Sequence, residues 1–159
     1  MLDIKRLLLI LILTLSFQTL IKADDIKDFQ IEGMSLYDSA LNYFSKSKIK
    51  DSEEDYYKDK KYTTATITSS KFEVYQQVQI TYKSNDDKFV LIDINGIIDK
   101  NYQDCLNEIE IISKDFEKLF PNAKKSDLYT FPHWQDKSGN SKVSDMLWTF
   151  SNGDLIILA

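Results

Sequence analysis

The amino-acid sequence predicts an α+β protein, an antiparallel sheet of about five strands with a short N-terminal helix (or helix pair) and one long helix packed on one face. Three observations carry this. Apolar residues recur at three- and four-residue steps from Asn101 to Phe120, hydrophobicity alternates with period two over 62–83 and again over 143–158, and turn residues separate the alternating runs.

The chain opens with Lys5 and Arg6, then 15 uncharged residues from Leu7 to Ile21, then Ile21-Lys22-Ala23 ahead of Asp24-Asp25. That is the charged, apolar and small-residue order of a secretory signal peptide, expected over 1–23. The apolar run falls short of the about 18 residues that span a bilayer, so a retained anchor is only the alternative. The expected product is one mature α+β domain over 24–159, periplasmic or extracellular, with no membrane span.

Asp24 to Gln30 reads as a polar lead-in. Ser35 and Asp38 have capping-box spacing, and Leu36, Tyr37, Ala40, Leu41 and Phe44 follow as one apolar face, which predicts a helix. A short second helix is expected around Lys46 to Asp51, and Asp51 to Asp55 reads as a solvated connection. Tyr62 to Ser69 and Phe72 to Lys83 read as strands, the second alternating Val74, Val78 and Ile80 with polar residues. Ser84 to Asp87 has turn chemistry, so Lys88 to Asn95 is expected to return as the partner strand. Asn101 caps and Pro121 stops the long helix. Asn122 to Ser141 reads as polar and irregular, and Val143 to Phe150 with Leu155 to Leu158 as a last hairpin around Ser151-Asn152-Gly153-Asp154.

Composition excludes several functions. One acid and three bases leave with the leader, taking the net charge from −5 to −7, and the only arginine, Arg6, leaves with them. No guanidinium fork remains to grip phosphate or guanine, which together with the negative charge argues against nucleic acid. Cys105 is the only cysteine, so no intramolecular disulfide forms, and its place on the helical stripe reads as a buried structural thiol, with an intermolecular disulfide or a reactive thiol as the alternative. Four glycines, at 33, 96, 139 and 153, cannot assemble a phosphate-binding glycine loop. Asp136 to Asn140 resembles the start of a calcium loop, but its twelfth position is Leu147 instead of a bidentate glutamate. No metal-ligand spacing and no cofactor motif is present. His133 is the only histidine, and it lies among Phe131, Pro132 and Trp134, where packing is the ordinary role.

Ile31-Glu32-Gly33-Met34-Ser35, with Asp38-Ser39 and Tyr43-Phe44-Ser45, resembles the opening of a group of small, uncharacterised exported bacterial proteins, and the likeness continues through Asn95-Gly96-Ile97-Ile98, Cys105 and Leu119-Phe120. The glycine–methionine helix start is also similar, over about 15 residues, to BamE-like and β-lactamase-inhibitor-like α+β domains. That second resemblance implies a small binding module. The chain lacks the lipobox cysteine of the BamE-like proteins, so it does not extend to a lipid anchor.

With Val78, Ile80, Val90, Ile92, Ile94, Met146, Trp148 and Phe150 facing the long helix, the opposite face of the sheet would carry Tyr75, Gln77, Gln79, Phe89, Leu91, Asp93, Asn95, Leu147 and Ile157. A free face should be mostly polar, and this mixture is suited to recognition. The candidate binding residues are Tyr75, Gln77, Phe89, Leu91, Asp93 and Leu147, with His133 and Trp134 on the adjoining loop. The alternative is that Asn122 to Ser141 covers that face. The sequence thus favours a non-enzymatic interaction protein whose partner is an envelope protein or glycan, ahead of a structural homo-oligomer and of a small secreted hydrolase. No catalytic residue is assigned.

Overall fold

The structure, a computed structural model, describes residues 26–159, and the expected leader lies outside the described residues. In chain order the elements are α1 (Lys46–Asp51), β1 (Glu53–Glu54), β2 (Tyr62–Ile67), β3 (Gln77–Lys83), β4 (Asp93–Ile97), α2 (Tyr102–Leu119), β5 (Lys124–Lys125), β6 (Tyr129–Pro132), β7 (Lys142–Thr149) and β8 (Leu155–Leu158). Single 3₁₀ turns occupy Ile26–Asp28 and Ala40–Asn42. The α+β class and the wholly antiparallel pairing follow the sequence pattern. The single five-stranded sheet does not. The strands form two four-stranded sheets, β1-β2-β3-β4, and a second in which β7 pairs with β5 and β6 along one edge and β8 along the other.

Each sheet has its own core. On the first, Ala65, Ile67, Val78, Ile80 and Tyr82 are sealed beneath Met34, Ala40, Ile49, Phe89 and Leu91. On the second, Met146, Trp148 and Ile156 pack with Ile109, Phe116 and Phe120 of α2 and its C-cap. Phe116 sets its ring edge to face against both Trp148 (5.3 Å) and Phe120 (5.7 Å), the favoured aromatic geometry. Asn101 caps α2 by accepting from the Asp104 amide at 3.0 Å, and Ser45 caps α1 through the Lys48 amide at 3.2 Å.

The N-terminal segment joins the two cores. Ile26, Phe29 and Leu36 pack into the second, while Ile31 and Met34 pack into the first. The expected polar lead-in therefore carries a side chain, Ile26, that is 3% exposed. Tyr37 Oη adds a hydrogen bond to Asp154 at 3.0 Å, across to the β7–β8 turn.

Two further expectations are corrected. Leu36 to Phe44 is not an α-helix, although half of the capping box forms, the Ser35 amide donating to Asp38 at 3.2 Å. Tyr37 adopts φ 71°, which ends helical progress at once, and its amide donates to the Leu91 carbonyl at 2.8 Å. The Leu91 amide donates in turn to Asp38, and the Ala40 amide to Phe89, so this segment runs beside 89–91 as a short antiparallel contact. The return strand also starts later than the pattern indicates. Asp86 accepts from the Lys88 and Val90 amides, both at 2.9 Å, and this loop postpones β4 to Asp93, opposite Thr81.

Candidate interaction face

β7 divides two environments by the parity of its residues, since antiparallel partners share a face. Ser144, Met146 and Trp148 look toward α2, where Tyr102 Oη lies 2.9 Å from Ser144 Oγ and Lys125 Nζ lies over the Trp148 ring. Val143, Asp145 and Leu147 look the other way. Their partners there are Phe131 and Tyr129 on β6 and Ile157 on β8, with Leu155 opposite Thr149. This outer face stays open: Tyr129 is 66%, Ile157 53% and Leu155 47% exposed. A solvated antiparallel sheet face is ordinarily polar, so an outward run of Tyr129, Phe131, Val143, Leu147, Leu155 and Ile157 is a candidate contact surface.

The β6–β7 connection extends it. Tyr129 and Phe131 stack at 5.6 Å, and beyond Pro132 the His133 and Trp134 rings stack at 6.1 Å, with Trp134 75% exposed. The loop is built around Asp136, whose carboxylate accepts from Ser138 Oγ (2.6 Å), the Ser138 amide (2.8 Å) and the Ser141 amide (2.7 Å). Those donors, the Ser138 hydroxyl first, hold the Asp136 carboxyl far below the ordinary carboxylate range. The resemblance to a calcium loop thus resolves into a carboxylate saturated by its own loop. Gly139 supplies φ 74° to close the turn. His133 Nδ1 accepts from the Gln135 amide at 3.3 Å, a local turn contact.

The candidate binding residues separate in the structure. Leu147 lies on the outer face just described, and His133 and Trp134 lie at its loop. Gln77 and Asp93 stand on the outer face of the first sheet, Gln77 opposite Ile97 and Asp93 accepting from Thr81 Oγ1 (3.3 Å) and Asn95 Nδ2 (2.9 Å). Tyr75 is half-buried over Gly96, and burial, then the Glu32 charge, pushes its hydroxyl upward. Phe89 and Leu91 are 2% and 0% exposed, so they belong to the first core and not to any surface. The Asp86 loop sets Phe89 at φ 50° and turns that run inward, against the parity expected of a hairpin strand. Asn122 to Ser141 does not cover the outer face; it contributes β5 and β6 to the edge of β7. Tyr129, Phe131, Val143 and Leu155 were not singled out by the sequence, although Tyr129-Thr130-Phe131 carries the alternating signal.

Another concavity, open and of about 460 Å³, lies between residues 53–63 and the turn at Ser84-Asn85. Its tyrosines 56, 57 and 62 pack edge to face on one another at 5.1 and 6.0 Å, and Glu53 is engaged by Lys50 and Tyr82. Among the described residues no cluster of three metal-ligating side chains occurs, and no helix is long and apolar enough to cross a membrane. Comparison with known proteins finds no matching family, no matching curated protein and no matching solved structure.

Proposed function

We propose that this chain is an exported, non-enzymatic interaction module that binds an envelope protein or glycan through the outer face of its second sheet. The observation that carries the reading is the exposure of Tyr129, Leu155 and Ile157 around half-buried Phe131, Val143 and Leu147, opposite a fully packed helix face. Tyrosine and tryptophan suit such a role because each offers a broad apolar surface with a polar handle at small entropic cost. The Asp136-locked loop presents Trp134 on a preorganised support, which lowers the ordering cost of contact. The leader expected over 1–23 places the module outside the cytoplasm, in the periplasm or beyond.

The test is capture from envelope extract with the mature chain as bait, beside a Tyr129→Glu, Leu147→Glu double variant of unchanged circular dichroism. Binding lost in the variant supports the reading, and equal recovery by both baits removes it. Charges at Leu91 would not serve, because that residue is wholly buried.

A further inference from the structure

β8 ends the second sheet, paired with β7 on one side and with no strand on the other among the described residues. The Phe150 amide donates to the Asp154 carbonyl at 2.9 Å, and the register sets Trp148 opposite Ile156 and Met146 opposite Leu158. Hydrogen-bonded and non-bonded pairs alternate in an antiparallel ladder. The inward-bonding residues are therefore 154, 156 and 158, and the amides and carbonyls of Leu155 and Ile157 point away from β7. Edge strands are ordinarily blunted by a charge, a proline or a bulge. Leu155-Ile156-Ile157-Leu158 has none of these.

We infer that β8 pairs with β8 of a second copy of this chain, antiparallel about a two-fold axis, to make one continuous sheet. The register centred on Ile156 pairs all the outward main-chain groups of Leu155 and Ile157 with one another. With Ile156 opposite its own counterpart, Leu155 meets Ile157 of the second copy and Ile157 meets Leu155, and both are bonding pairs, giving four main-chain hydrogen bonds. The same register keeps every side chain on its own face, so the exposed Leu155 and Ile157 of both copies join on the outer side. A slip of one residue would bring outer-face residues opposite helix-face residues, which pairing does not allow. The carboxylate of Asp154, which flanks the junction, is engaged by Tyr37 Oη (3.0 Å) and Asn152 Nδ2 (2.8 Å), so its charge is partly spent before the second copy arrives. A two-fold interface of this kind closes on itself and does not propagate into fibres. The inference rests on the strand edge and stands whether or not the face binds an envelope partner.

Light-scattering mass of the mature chain over a wide concentration range tests it. The native chain should run at twice the monomer mass at high concentration. Ile157→Pro removes an outward donor without touching a β7–β8 bond, since proline is tolerated where the amide faces solvent, and it should halve the mass with unchanged circular dichroism. Leu155→Lys, at a side chain already exposed, should do the same and carries the test if the proline variant does not fold. Tyr129→Glu should leave the dimer intact. A native chain that stays monomeric at every concentration overturns the inference, as does a folded edge variant that still dimerises.

Discussion

Glu32 decides where β3 begins. Ile31 and Met34 exchange main-chain hydrogen bonds at 3.0 and 2.9 Å around Glu32 (φ 50°) and Gly33 (φ 78°), the tight turn that positive φ at both central positions makes. From this turn the Glu32 carboxylate accepts from the amides of Glu73, Val74 and Tyr75 at 2.8–2.9 Å. Those amides are thereby withdrawn from the ladder, and β3 starts at Gln77 although the alternating pattern begins at Phe72. The same amides, Glu73 first and then Tyr75, lower the Glu32 carboxyl from its ordinary 4.5. A lowered folded-state value contributes stability that is complete above the unfolded value and is lost as pH falls through the folded one. Urea midpoints measured from neutral pH down into the acid range should therefore fall less steeply below pH 4.5 in Glu32→Gln than in the native chain; an unchanged acid slope would contradict the assignment. Gly96 is the second such residue, because a Cβ there would overlap the Tyr75 ring. Gly96→Ala should cost about 1–3 kcal/mol in urea unfolding, the usual range for overpacking.

At the scale of elements, legibility follows how local the determinants are. α2 was legible almost to the residue because its cap, its stripe and the proline after it are all contained in one stretch. α1 and the β7–β8 hairpin were legible for the same reason. The segment 35–44 carries an equally good helical pattern, but its amides find partners on 89–91, some fifty residues away, and nothing near Ser35 announces that. Phe89 and Leu91 were misplaced by the same contact seen from its other side. Of the open outer face, Leu147 and the adjoining His133-Trp134 loop were legible as surface, and β6 was not, because a four-residue strand amid polar residues carries too short an alternation to stand out. The second sheet makes a direct optical prediction. Trp148 is sealed against Phe116 while Trp134 is open. Acrylamide should quench most of the fluorescence that Trp134→Phe removes and little of what remains. Phe116→Ala should cost about 3–5 kcal/mol and expose Trp148 to the quencher.

For the whole molecule, the arrangement is two antiparallel sheets, each with one packed face, joined by a strap that contributes side chains to both cores. The sequence pattern led to one sheet because the period-two runs carry no mark of which strands are neighbours, and because α2 separates them without a linker composition. The outer faces then differ in kind. That of the first sheet satisfies itself through Thr64, Thr66, Gln79, Thr81, Asp93 and Asn95, whose side chains hydrogen-bond to one another. That of the second, Asp145 and Thr149 apart, is apolar and open, and this asymmetry underlies the proposed binding face. Placing a photocross-linking residue at Tyr129 in one chain and at Gln77 in another, then irradiating intact envelopes, tests it most directly. Heteromeric adducts from position 129 with none from position 77 are the predicted result; equal adducts from both, or none from 129, would contradict it.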